Sequence, residues 1–595
     1  MNGWMGKILK IDLTKKEVIE DVLPEKTYHN FIGGRGLGTK ILFDNLDPKV
    51  DPLSSENMVV IAVGPLTKTK VPTSGRMSLS TKSPLTNTIF DSNAGGFWGP
   101  MLKAAGYDAV VIEGASAEPV YISINENKVK IKDARCLWGK GIRETDDILS
   151  NEEGKKAQNL MIGKAGENLV KLASISVNAN RSLGRGGVGA VLGSKNLKAI
   201  SVQGSKSPKI ADQEQMDFIN YEYNKWIKAS PLTSEAMPAF GTSMLVNLIN
   251  EAGALPTRNF QDSQFSNAEE ISGEKMADTI LEKNTACYNC PIRCGRKTKT
   301  NKSEGHGPEY ETIGLLGSNL GVDNIEAIAE MNYLCNDLGL DTISTGGVIS
   351  CLIEMAEKDF YDYDIKFGEA DKVVNLIKNI AERKGIGDEL AEGAKLFAES
   401  YGHPEMAMEV KGLVLPAYDP RAMKGRGLGY ITSNRGACHL RANMLGPELL
   451  GLPKMVDRFS SIGKSGLLIN QQNFVAIIDS LVVCQFSTFA AGEEFFARIY
   501  SAITGDEKTP QDLLDLGEKI WNMEKIFNIK AGFSRKDDRL PARFLEETAS
   551  GPASGQVFEQ EIMLEEYYKS RGWDENGVPT ERKLADIGLK GVDLI

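Results

Sequence analysis

The chain has 595 residues, of which 25% are charged and 41% hydrophobic. At roughly 100–200 residues per domain, this length predicts about three to five domains, and the composition excludes a disordered or fibrous protein. Lys and Arg total 69 against 80 Asp and Glu, a net charge of −11, which disfavours nucleic acids and anionic membranes as partners. We therefore expect small-molecule or protein partners.

Residues 1–22 lack the basic segment, apolar stretch and cleavage site of a secretory signal. The longest apolar stretch, Phe474 to Cys484, contains Asp479 and is too short to span a bilayer. We therefore expect a cytoplasmic protein without a membrane span. In that compartment, the eight cysteines are expected to be metal ligands or buried side chains rather than disulfides.

Short alternating apolar runs bounded by Gly, Pro, Asn and Ser predict strands of a mainly antiparallel region in the first third of the chain. These runs are residues 6–13, 58–63, 76–80, 109–112, 120–131, 172–177 and 199–202. Beyond residue 208, apolar residues recur at helical spacing and predict helices. These helices are predicted at 212–227, 243–251, 324–338, 372–384 and 386–401.

The predicted fold class is α+β. A β-rich domain is predicted at residues 1–208, followed by two mainly helical domains at 209–412 and 413–595. The Gly- and Pro-containing segment 409–430 is predicted to be the loop between the two helical domains.

Three segments join glycines to an arginine, at residues 34–38, 184–189 and 425–429. The second also matches G-x-G-x-x-G, but no βαβ unit surrounds it, so a Rossmann nucleotide site is not expected. Backbone N–H groups and arginines at close range suit a phosphate ligand. The alternative is that these segments are sharp turns that need glycine.

Cys287, Cys290 and Cys294 have the spacing C-x₂-C-x₃-C, and no second knuckle of a structural zinc site follows. A compact cysteine run with one distant ligand is typical of a cubane iron–sulfur cluster. Zinc or a redox or structural thiol group remains an alternative. The spacing leaves the fourth ligand open among Cys335, Cys351, Cys438 and Cys484.

Seven groups of short motifs resemble, in the same order, those of the tungsten-containing aldehyde:ferredoxin oxidoreductases. They are Gly64–Thr67, Thr81–Thr86, Asn93–Gly96, Lys164–Asn168, Gly184–Gly189 with Gly193–Leu197, Gly307–Glu311 and Asn434–His439. The resemblance covers nearly the whole chain. It implies a β-rich base for a tungsten bis-pterin cofactor (tungstopterin), covered by two helical domains, with a [4Fe-4S] cluster nearby.

The resemblance implies Cys287, Cys290, Cys294 and Cys484 as the cluster ligands. It places Arg76 and Arg181 beside the pterins, with Arg76 also near a cluster sulfur, where its charge offsets that of the thiolates. It implies that backbone oxygens of Asn93 and Ser182 bind a Mg²⁺ ion between the pterin phosphates. The other implied cofactor-binding residues are Gly95, Gly184, Arg185, Asn336, Gly339, Leu340, Asp341, Asp479 and Val483.

The chain departs from the family pattern at three places. The pterin-binding turns, D-x-x-G-L-(D/C) in the family, read N-D-L-G-L-D at 336–341 and D-S-L-V-V-C at 479–484. Asn336 keeps an oxygen that can accept a hydrogen bond. Tyr333 follows Glu330 where the family E-x-x-H motif has histidine, so the mononuclear iron that some members hold at a homodimer interface is not expected.

His439 and Glu311 are the expected catalytic residues, because both lie in matched motifs. An imidazole can donate a hydrogen bond to a substrate carbonyl or transfer a proton. Burial would raise the pKa of Glu311 and suit it to acid–base chemistry. The alternative for Glu311 is a structural carboxylate that pairs with an arginine.

The resemblance implies tungsten-dependent oxidation of aldehydes to carboxylic acids, with acid reduction as the reverse reaction. The electrons would pass through the cluster to ferredoxin or to a small iron–sulfur subunit. Two alternatives are the tungsten subunit of an aromatic-ring (aryl-CoA) reductase and a non-catalytic iron–sulfur electron-transfer subunit. We expect an oligomer, and the loss of the histidine at Tyr333 favours a hetero-oligomer over the homodimer.

Overall fold

The computed structural model describes residues 1–126 and 128–592. Two six-stranded sheets form the first third of this described part. Their strands are β1 (Ile8–Asp12), β2 (Glu17–Asp21), β3 (Val59–Ala62), β4 (Met77–Lys82), β5 (Ile89–Ala94), β6 (Ala109–Glu113), β7 (Val120–Asn125), β8 (Lys128–Asp133), β9 (Gln158–Ile162), β10 (Ile175–Val177), β11 (Arg181–Leu183) and β12 (Leu197–Gln203). The helices between them are α1 (Glu25–Phe31), α2 (Gly34–Asn45), α3 (Trp98–Ala105), α4 (Ile142–Glu152), α5 (Lys164–Glu167) and α6 (Val188–Ser194).

The two sheets are mainly antiparallel. The first has the order β2-β1-β6-β3-β4-β5, and β1 pairs in parallel with β6. The second has the order β11-β10-β9-β12-β7-β8, and β12 pairs in parallel with β7. The remaining described pairs in both sheets are antiparallel, as the alternating runs predict.

The first sheet is buried on both faces except at its edge strand β2, which is largely exposed. One face shares an apolar core with α3 and the second sheet, and the Trp98 indole of α3 donates a hydrogen bond to the Ile200 carbonyl at 3.0 Å. The other face, which includes Val60 and Val111, packs in a core with helical residues such as Phe495. Burial on both faces explains why β3 consists entirely of apolar residues.

The rest of the chain is mainly helical, which confirms the predicted α+β class. Its helices are α7 (Gln213–Ala229), α8 (Met237–Phe240), α9 (Leu245–Glu251), α10 (Gly273–Thr279), α11 (Tyr310–Leu316), α12 (Ile325–Leu338), α13 (Thr342–Glu357), α14 (Ala370–Glu382), α15 (Ile386–Leu390), α16 (Ala394–Ser400), α17 (Lys424–Thr432), α18 (Ser465–Leu481), α19 (Glu493–Thr504), α20 (Pro510–Lys530), α21 (Arg543–Glu546), α22 (Gln560–Arg571) and α23 (Glu581–Asp586). Its strands are β13 (Leu281–Thr285), β14 (Gly295–Lys299), β15 (Glu304–His306), β16 (Glu409–Val410) and β17 (Leu413–Val414).

Short 3₁₀ and π turns connect these elements. They are Leu232–Ala236, Gly241–Met244, Ala268–Ile271, Ser318–Leu320, Pro404–Met406, Gly446–Leu450, Gln485–Phe489, Arg535–Asp537 and Gly551–Ala553. None of the helices in the described ranges is long and apolar enough to cross a bilayer.

Two predicted elements are wrong in detail. Residues 386–401 form two helices, because Gly393 has a φ of +95° and interrupts the helical backbone. Segment 409–430 is not a loop throughout, since β16 and β17 pair within it and α17 begins at Lys424. The glycines of α17 suppressed the helical prediction, but the whole helix is buried, and packing outweighs its low propensity. The predicted domain boundaries remain predictions.

The glycines at residues 34–38 serve close packing. A side chain at Gly34 would collide with the Asp479 carbonyl at the end of α18, and one at Gly38 would collide with Ser80 of β4. The arginine between them is fully buried, and Arg35 Nη2 lies 2.6 Å from Glu524 Oε2 of α20. This segment therefore begins a helix rather than a sharp turn, and its glycines let α2 pack closely against the C-terminal helices.

We predict that Lys103→Met destabilises the protein by about 3–5 kcal/mol, because it leaves a buried carboxylate without its cation. Lys103 Nζ lies 2.6 Å from Asp108 Oδ1, and both side chains are fully buried. The matched control is Lys10→Met, which removes a largely exposed pair with Asp21 and should cost less than about 1 kcal/mol. Urea titration followed by tryptophan fluorescence compares the two, and equal losses would contradict the prediction.

Candidate active site and cofactor cavity

Three neighbouring cavities lie where the β-rich part meets the helices. We call them the central cavity, of about 350 Å³, the apolar pocket, of about 230 Å³, and the cysteine cavity, of about 190 Å³. Glu309 and Phe486 line all three. A reaction in one cavity therefore takes place within reach of groups in the other two.

The central cavity gathers most of the predicted cofactor-binding residues. Those on its wall are Arg76, Asn93, Gly95, Arg181, Ser182, Gly184, Arg185, Asn336, Asp341 and Asp479. Three others do not line it. Gly339 ends α12 with a φ of +76°, Leu340 is buried beside it, and Val483 lies in the core next to α18.

Strands of both sheets form the β-rich wall of the central cavity. Arg76 immediately precedes β4, and Asn93 lies on the adjacent β5, opposite Ser78. Arg76 Nη2 donates to the Asn93 carbonyl at 3.1 Å. Arg181 and Ser182 lie on β11, the edge strand that pairs with β10.

The ends of two helices form the opposite wall of the central cavity. Asp341 caps the N-terminus of α13, accepting hydrogen bonds from Ile343 N and Ser344 N at 3.2 and 3.0 Å. Asp479 lies in the last turn of α18 and accepts a hydrogen bond from Gln485 Nε2 at 3.1 Å. Both carboxylates therefore have one fixed orientation toward the cavity.

The cavity holds buried polar groups that need a ligand. Among the described residues, Arg185 Nε, Asn93 Nδ2 and Asp479 Oδ2 are buried without a hydrogen-bond partner. Such groups are costly unless something bound satisfies them. A ligand that combines anionic phosphates with amine donors fits this set, because arginines bind phosphate and a carboxylate accepts from an amine.

Two arginines that the sequence analysis did not assign also lie on this wall. Arg441 donates to both carboxylate oxygens of Asp91, at 2.8 and 3.0 Å, and Arg435 Nη2 donates to Cys438 Sγ at 2.8 Å. Burial alone would raise the pKa of Cys438, but Arg435 and Arg441 lower it to about 7. The sequence feature that could have indicated these arginines is Asp91, a carboxylate within the buried strand β5.

The cysteine cavity brings together the four predicted cluster ligands. Cys287, Cys290, Cys294 and Cys484 all line it. Arg76 Nη1 lies 3.9 Å from Cys484 Sγ, so a cation is present beside one of the sulfurs. The buried thiols Cys335, Cys351 and Cys438 do not line this cavity, which makes Cys484 the distant cysteine that fits a cubane cluster.

The described ranges contain no group of three or more His, Cys, Asp or Glu side chains spaced to bind a single metal ion. At Tyr333, the hydroxyl lies 2.6 Å from Thr298 Oγ1, and the nearby Glu330 accepts a hydrogen bond from Ser303 Oγ at 2.7 Å. Tyr333 and Glu330 are thus each hydrogen-bonded to a nearby hydroxyl group.

Glu311 and His439 meet where the central cavity joins the apolar pocket. His439 Nδ1 lies 3.4 Å from Glu311 Oε1, and within the described part neither atom has a hydrogen-bond partner. Burial raises the pKa of Glu311 to about 7. Burial, reinforced by Arg426 and Arg185, lowers the pKa of His439 well below its ordinary value. His439 is therefore neutral at pH 7, and the contact is not an ion pair.

Both residues are anchored, Glu311 through its carboxylate and His439 through its backbone carbonyl. Glu311 Oε2 accepts a hydrogen bond from Ala417 N at 2.9 Å, and Arg426 Nη1 donates to the His439 carbonyl at 2.6 Å. The guanidinium of Arg426 lies 5.0 Å from the centre of the Tyr418 ring. Two free side-chain atoms, Glu311 Oε1 and His439 Nδ1, are thus held toward the same space.

The apolar pocket is lined chiefly by carbon. Its wall includes Met237, Met244, Leu245, Leu440, Leu445, Leu450, Phe486 and Phe489. Glu311 and His439 are among the few polar residues on its wall, and both also line the central cavity. An apolar cavity with a few polar groups at one end is typical of a small-molecule site.

Models of one protein family match most of the chain. Residues 8–204 match the aldehyde ferredoxin oxidoreductase N-terminal domain, and residues 219–589 match domains 2 and 3 of the same family.

Individual relatives are similar over their full length. The chain is 44% identical to tungsten-containing aldehyde ferredoxin oxidoreductases of Pyrococcus furiosus and Thermococcus kodakarensis, covering 99% of each chain. It is 32% identical to the WOR-like subunit of an aliphatic sulfonate oxidoreductase of Pyrococcus furiosus, over 99% of this chain and 97% of the relative.

A solved structure, the active-site complex BamBC of benzoyl coenzyme A reductase with 1,5-dienoyl-CoA, has a similar fold. The TM-score is 0.87 at 26% sequence identity, and the match covers 99% of this chain and 97% of the solved chain. Because the family models and the 44% identical relatives span nearly every residue, the chain belongs to the aldehyde ferredoxin oxidoreductase family.

Proposed function

We propose that the chain oxidises aldehydes to carboxylic acids with a tungsten bis-pterin, one [4Fe-4S] cluster and Mg²⁺. One aldehyde and one water give one carboxylic acid, two electrons and two protons. The observation that carries this proposal is the apolar pocket, which meets the arginine-lined central cavity at Glu311 and His439. The acceptor would be ferredoxin or a small iron–sulfur subunit, and the expected location is the cytoplasm.

The residues that would hold the cofactors line the central cavity and the cysteine cavity. Arg76, Arg181 and Arg185 would bind the pterin phosphates, and Asp479 would accept from a pterin amine. Backbone oxygens of Asn93 and Ser182 would bind Mg²⁺, and the four cysteines of the cysteine cavity would bind the cluster. When bound, these groups supply two-electron chemistry at the carbonyl carbon and one-electron transfer to the acceptor.

His439 would orient the aldehyde. Because its imidazole is neutral, one ring nitrogen carries a proton that can be donated to the substrate carbonyl oxygen. The Arg426 hydrogen bond to its carbonyl fixes the backbone that carries the ring. Donation to the carbonyl oxygen makes the carbonyl carbon more electrophilic, which lowers the barrier to oxygen addition.

Glu311 would take up one of the two protons that the reaction releases. A pKa of about 7 gives a carboxyl group that is partly ionised at neutral pH, which is the range in which a general base both accepts and releases protons readily. Its free oxygen Oε1 faces His439, so both groups can act on one bound molecule.

The walls of the apolar pocket define the substrate class. Phe486, Phe489 and Leu440 offer apolar surface to the remainder of the aldehyde, and this surface excludes water when a substrate is bound. Uncharged aliphatic and aromatic aldehydes fit such a pocket better than phosphorylated ones, since Arg426 is the cation on its wall and already contacts Tyr418. The reductase alternative has weaker support, at 26% identity against 44% for the aldehyde enzymes.

The first test is the metal content. The protein purified without oxygen should contain about four iron atoms and one tungsten atom per chain, the count for one cubane cluster without mononuclear iron. Elemental analysis measures both. A tightly bound fifth iron would contradict the interpretation of Tyr333, and absence of tungsten would favour the electron-transfer alternative.

The second test addresses the fourth cluster ligand. Cys484→Ala should abolish or convert the cubane signal in electron paramagnetic resonance, because it removes one of four ligands. Cys438→Ala is the matched control, since that thiol is buried outside the cysteine cavity, and it should keep the signal. The reverse result would exclude Cys484 as a ligand.

The third test addresses the acid–base pair. Glu311→Gln and His439→Ala should retain tungsten and the cluster but lower aldehyde turnover about 10²-fold or more, the usual scale for such groups. If Glu311 is the base, the wild-type rate should rise with pH through about 7, where the carboxyl ionises. Glu311→Gln should lose that rise. A wild-type pH profile in the variant would rule out this role.

A further inference from the structure

The cysteine loop, residues 287–294, forms the outer wall of the cysteine cavity. Asn289, Pro291 and Arg293 lie between its cysteines and are exposed to solvent. The inner wall contains Arg76 and Cys484, which also line the central cavity. Because electron transfer slows steeply with distance, an acceptor that takes electrons from this cavity must dock on the outer wall.

A groove of about 400 Å³ lies beside this loop. Lys68, Lys70, Tyr288 and Asn289 contribute to its walls. Lys68 Nζ lies 5.6 Å from the centre of the Tyr288 ring, and Asn289 Nδ2 donates to the Lys70 carbonyl at 2.7 Å. The groove is therefore attached directly to residues of the cysteine loop.

Backbone hydrogen bonds extend this attachment to the fourth cysteine. Thr73 N donates to the Asn289 carbonyl at 3.0 Å, and Cys484 N donates to the Thr73 carbonyl at 3.1 Å. The segment from Lys68 to Thr73 thus joins the groove to both cysteine-bearing segments. A partner bound in the groove would rest on the same frame that holds the sulfurs.

Helix α7 adds an aromatic surface to the groove. Phe218 and Tyr221 are 55% and 61% exposed, whereas Tyr223 on the opposite face is buried and stacks on Phe495. Lys70 Nζ lies 3.7 Å from Asp217 of the same helix, which places the aromatic face next to the groove. Exposed aromatic side chains of this kind are enriched in the energetic centres of protein interfaces.

The charge of this surface is opposite to that of the whole chain. The chain carries −11, but Lys68 and Lys70 line the groove and Arg293 is exposed within the cysteine loop. Two further lysines add to this charge: Lys209 is exposed between the groove residues Pro208 and Ile210, and Lys225 Nζ lies 5.3 Å from the centre of the Tyr221 ring. Glu214 is an exposed carboxylate on α7, whereas Asp212 caps that helix and Asp217 pairs with Lys70. An acidic protein would be repelled by most of the molecule and attracted here, which steers it to one orientation.

We propose that the groove, the cysteine loop and the exposed face of α7, here called the loop face, dock a small acidic iron–sulfur protein that accepts electrons one at a time. This inference rests on the proposed function, in which aldehyde oxidation supplies the electrons. It adds the surface and the charge of the partner.

The test uses the purified holoprotein and an acidic ferredoxin. Lys68→Glu/Lys70→Glu should weaken ferredoxin binding, measured by calorimetry at low salt, about 10-fold or more, because it places two carboxylates against an acidic partner. Aldehyde turnover with a viologen dye should stay at the wild-type rate, because neither lysine lines the central cavity or the apolar pocket. Raising the salt concentration should reduce the difference in binding.

The matched control is Lys378→Glu/Lys569→Glu, which makes the same change in net charge at two exposed lysines on α14 and α22. It should bind ferredoxin like the wild type. Phe218→Ala/Tyr221→Ala should also weaken binding, but with little dependence on salt, because it removes apolar contact rather than charge.

Two results would overturn the proposal. One is ferredoxin binding by the Lys68/Lys70 variant that equals binding by the control variant. The other is dissociation of a homo-oligomer by Phe218→Ala/Tyr221→Ala with ferredoxin binding unchanged, which would assign the loop face to a second copy of the chain. Calorimetry does not require aldehyde turnover, so loss of docking and failure of the proposed function give separate results.

Discussion

A buried network of arginines and carboxylates holds the two parts of the chain around one cavity. Arg35 of α2 contacts Glu524 of α20 at 2.6 Å, and Arg441 contacts Asp91 of β5 at 2.8 Å. Asp479 of α18 lies 3.8 Å from Arg35 and 3.7 Å from Arg441. Removing charges from water is costly, and a misplaced helix would leave one of them unpaired. The network therefore allows essentially one relative position of the β-rich and helical parts.

The same network leaves an oxygen without a hydrogen bond, Asp479 Oδ2, on a residue that lines the central cavity. Burial alone would raise the pKa of Asp91, but the neighbouring arginines hold it below its usual range. Burial raises the pKa of Asp479, whose Oδ2 has no hydrogen-bond partner within the described residues. Both carboxylates thus belong to the network, but Asp479 Oδ2, which lies 3.8 and 3.7 Å from its two arginines, can still accept a hydrogen bond from a ligand. The same buried arginines and carboxylates therefore fix the fold and line the cavity that needs a cofactor.

Sequence patterns predicted the features that depend on local periodicity. The seven predicted runs of the first part contain strands, and α12 follows its apolar spacing. Strands β2, β5, β9 and β11 were not predicted, and β2 is largely exposed and polar. Local patterns could not predict α17, whose glycines lower helix propensity while tertiary packing maintains the helix. Spacing alone also left Cys484 as one of four candidates, and only resemblance selected it. Its place beside Cys287 depends on how distant segments fold together, through Thr73 and Asn289.

The candidate catalytic pair shows how one environment gives two groups complementary properties. Burial raises the pKa of Glu311 and lowers that of His439, because it disfavours the charged form of each. The neighbouring arginines reinforce the shift of His439 and oppose that of Glu311. Near pH 7 the imidazole is therefore a neutral donor, while the carboxyl group can still exchange a proton. Because neither group must be fully charged, the apolar pocket can end at them and still accept an uncharged aldehyde without a buried, unpaired ion.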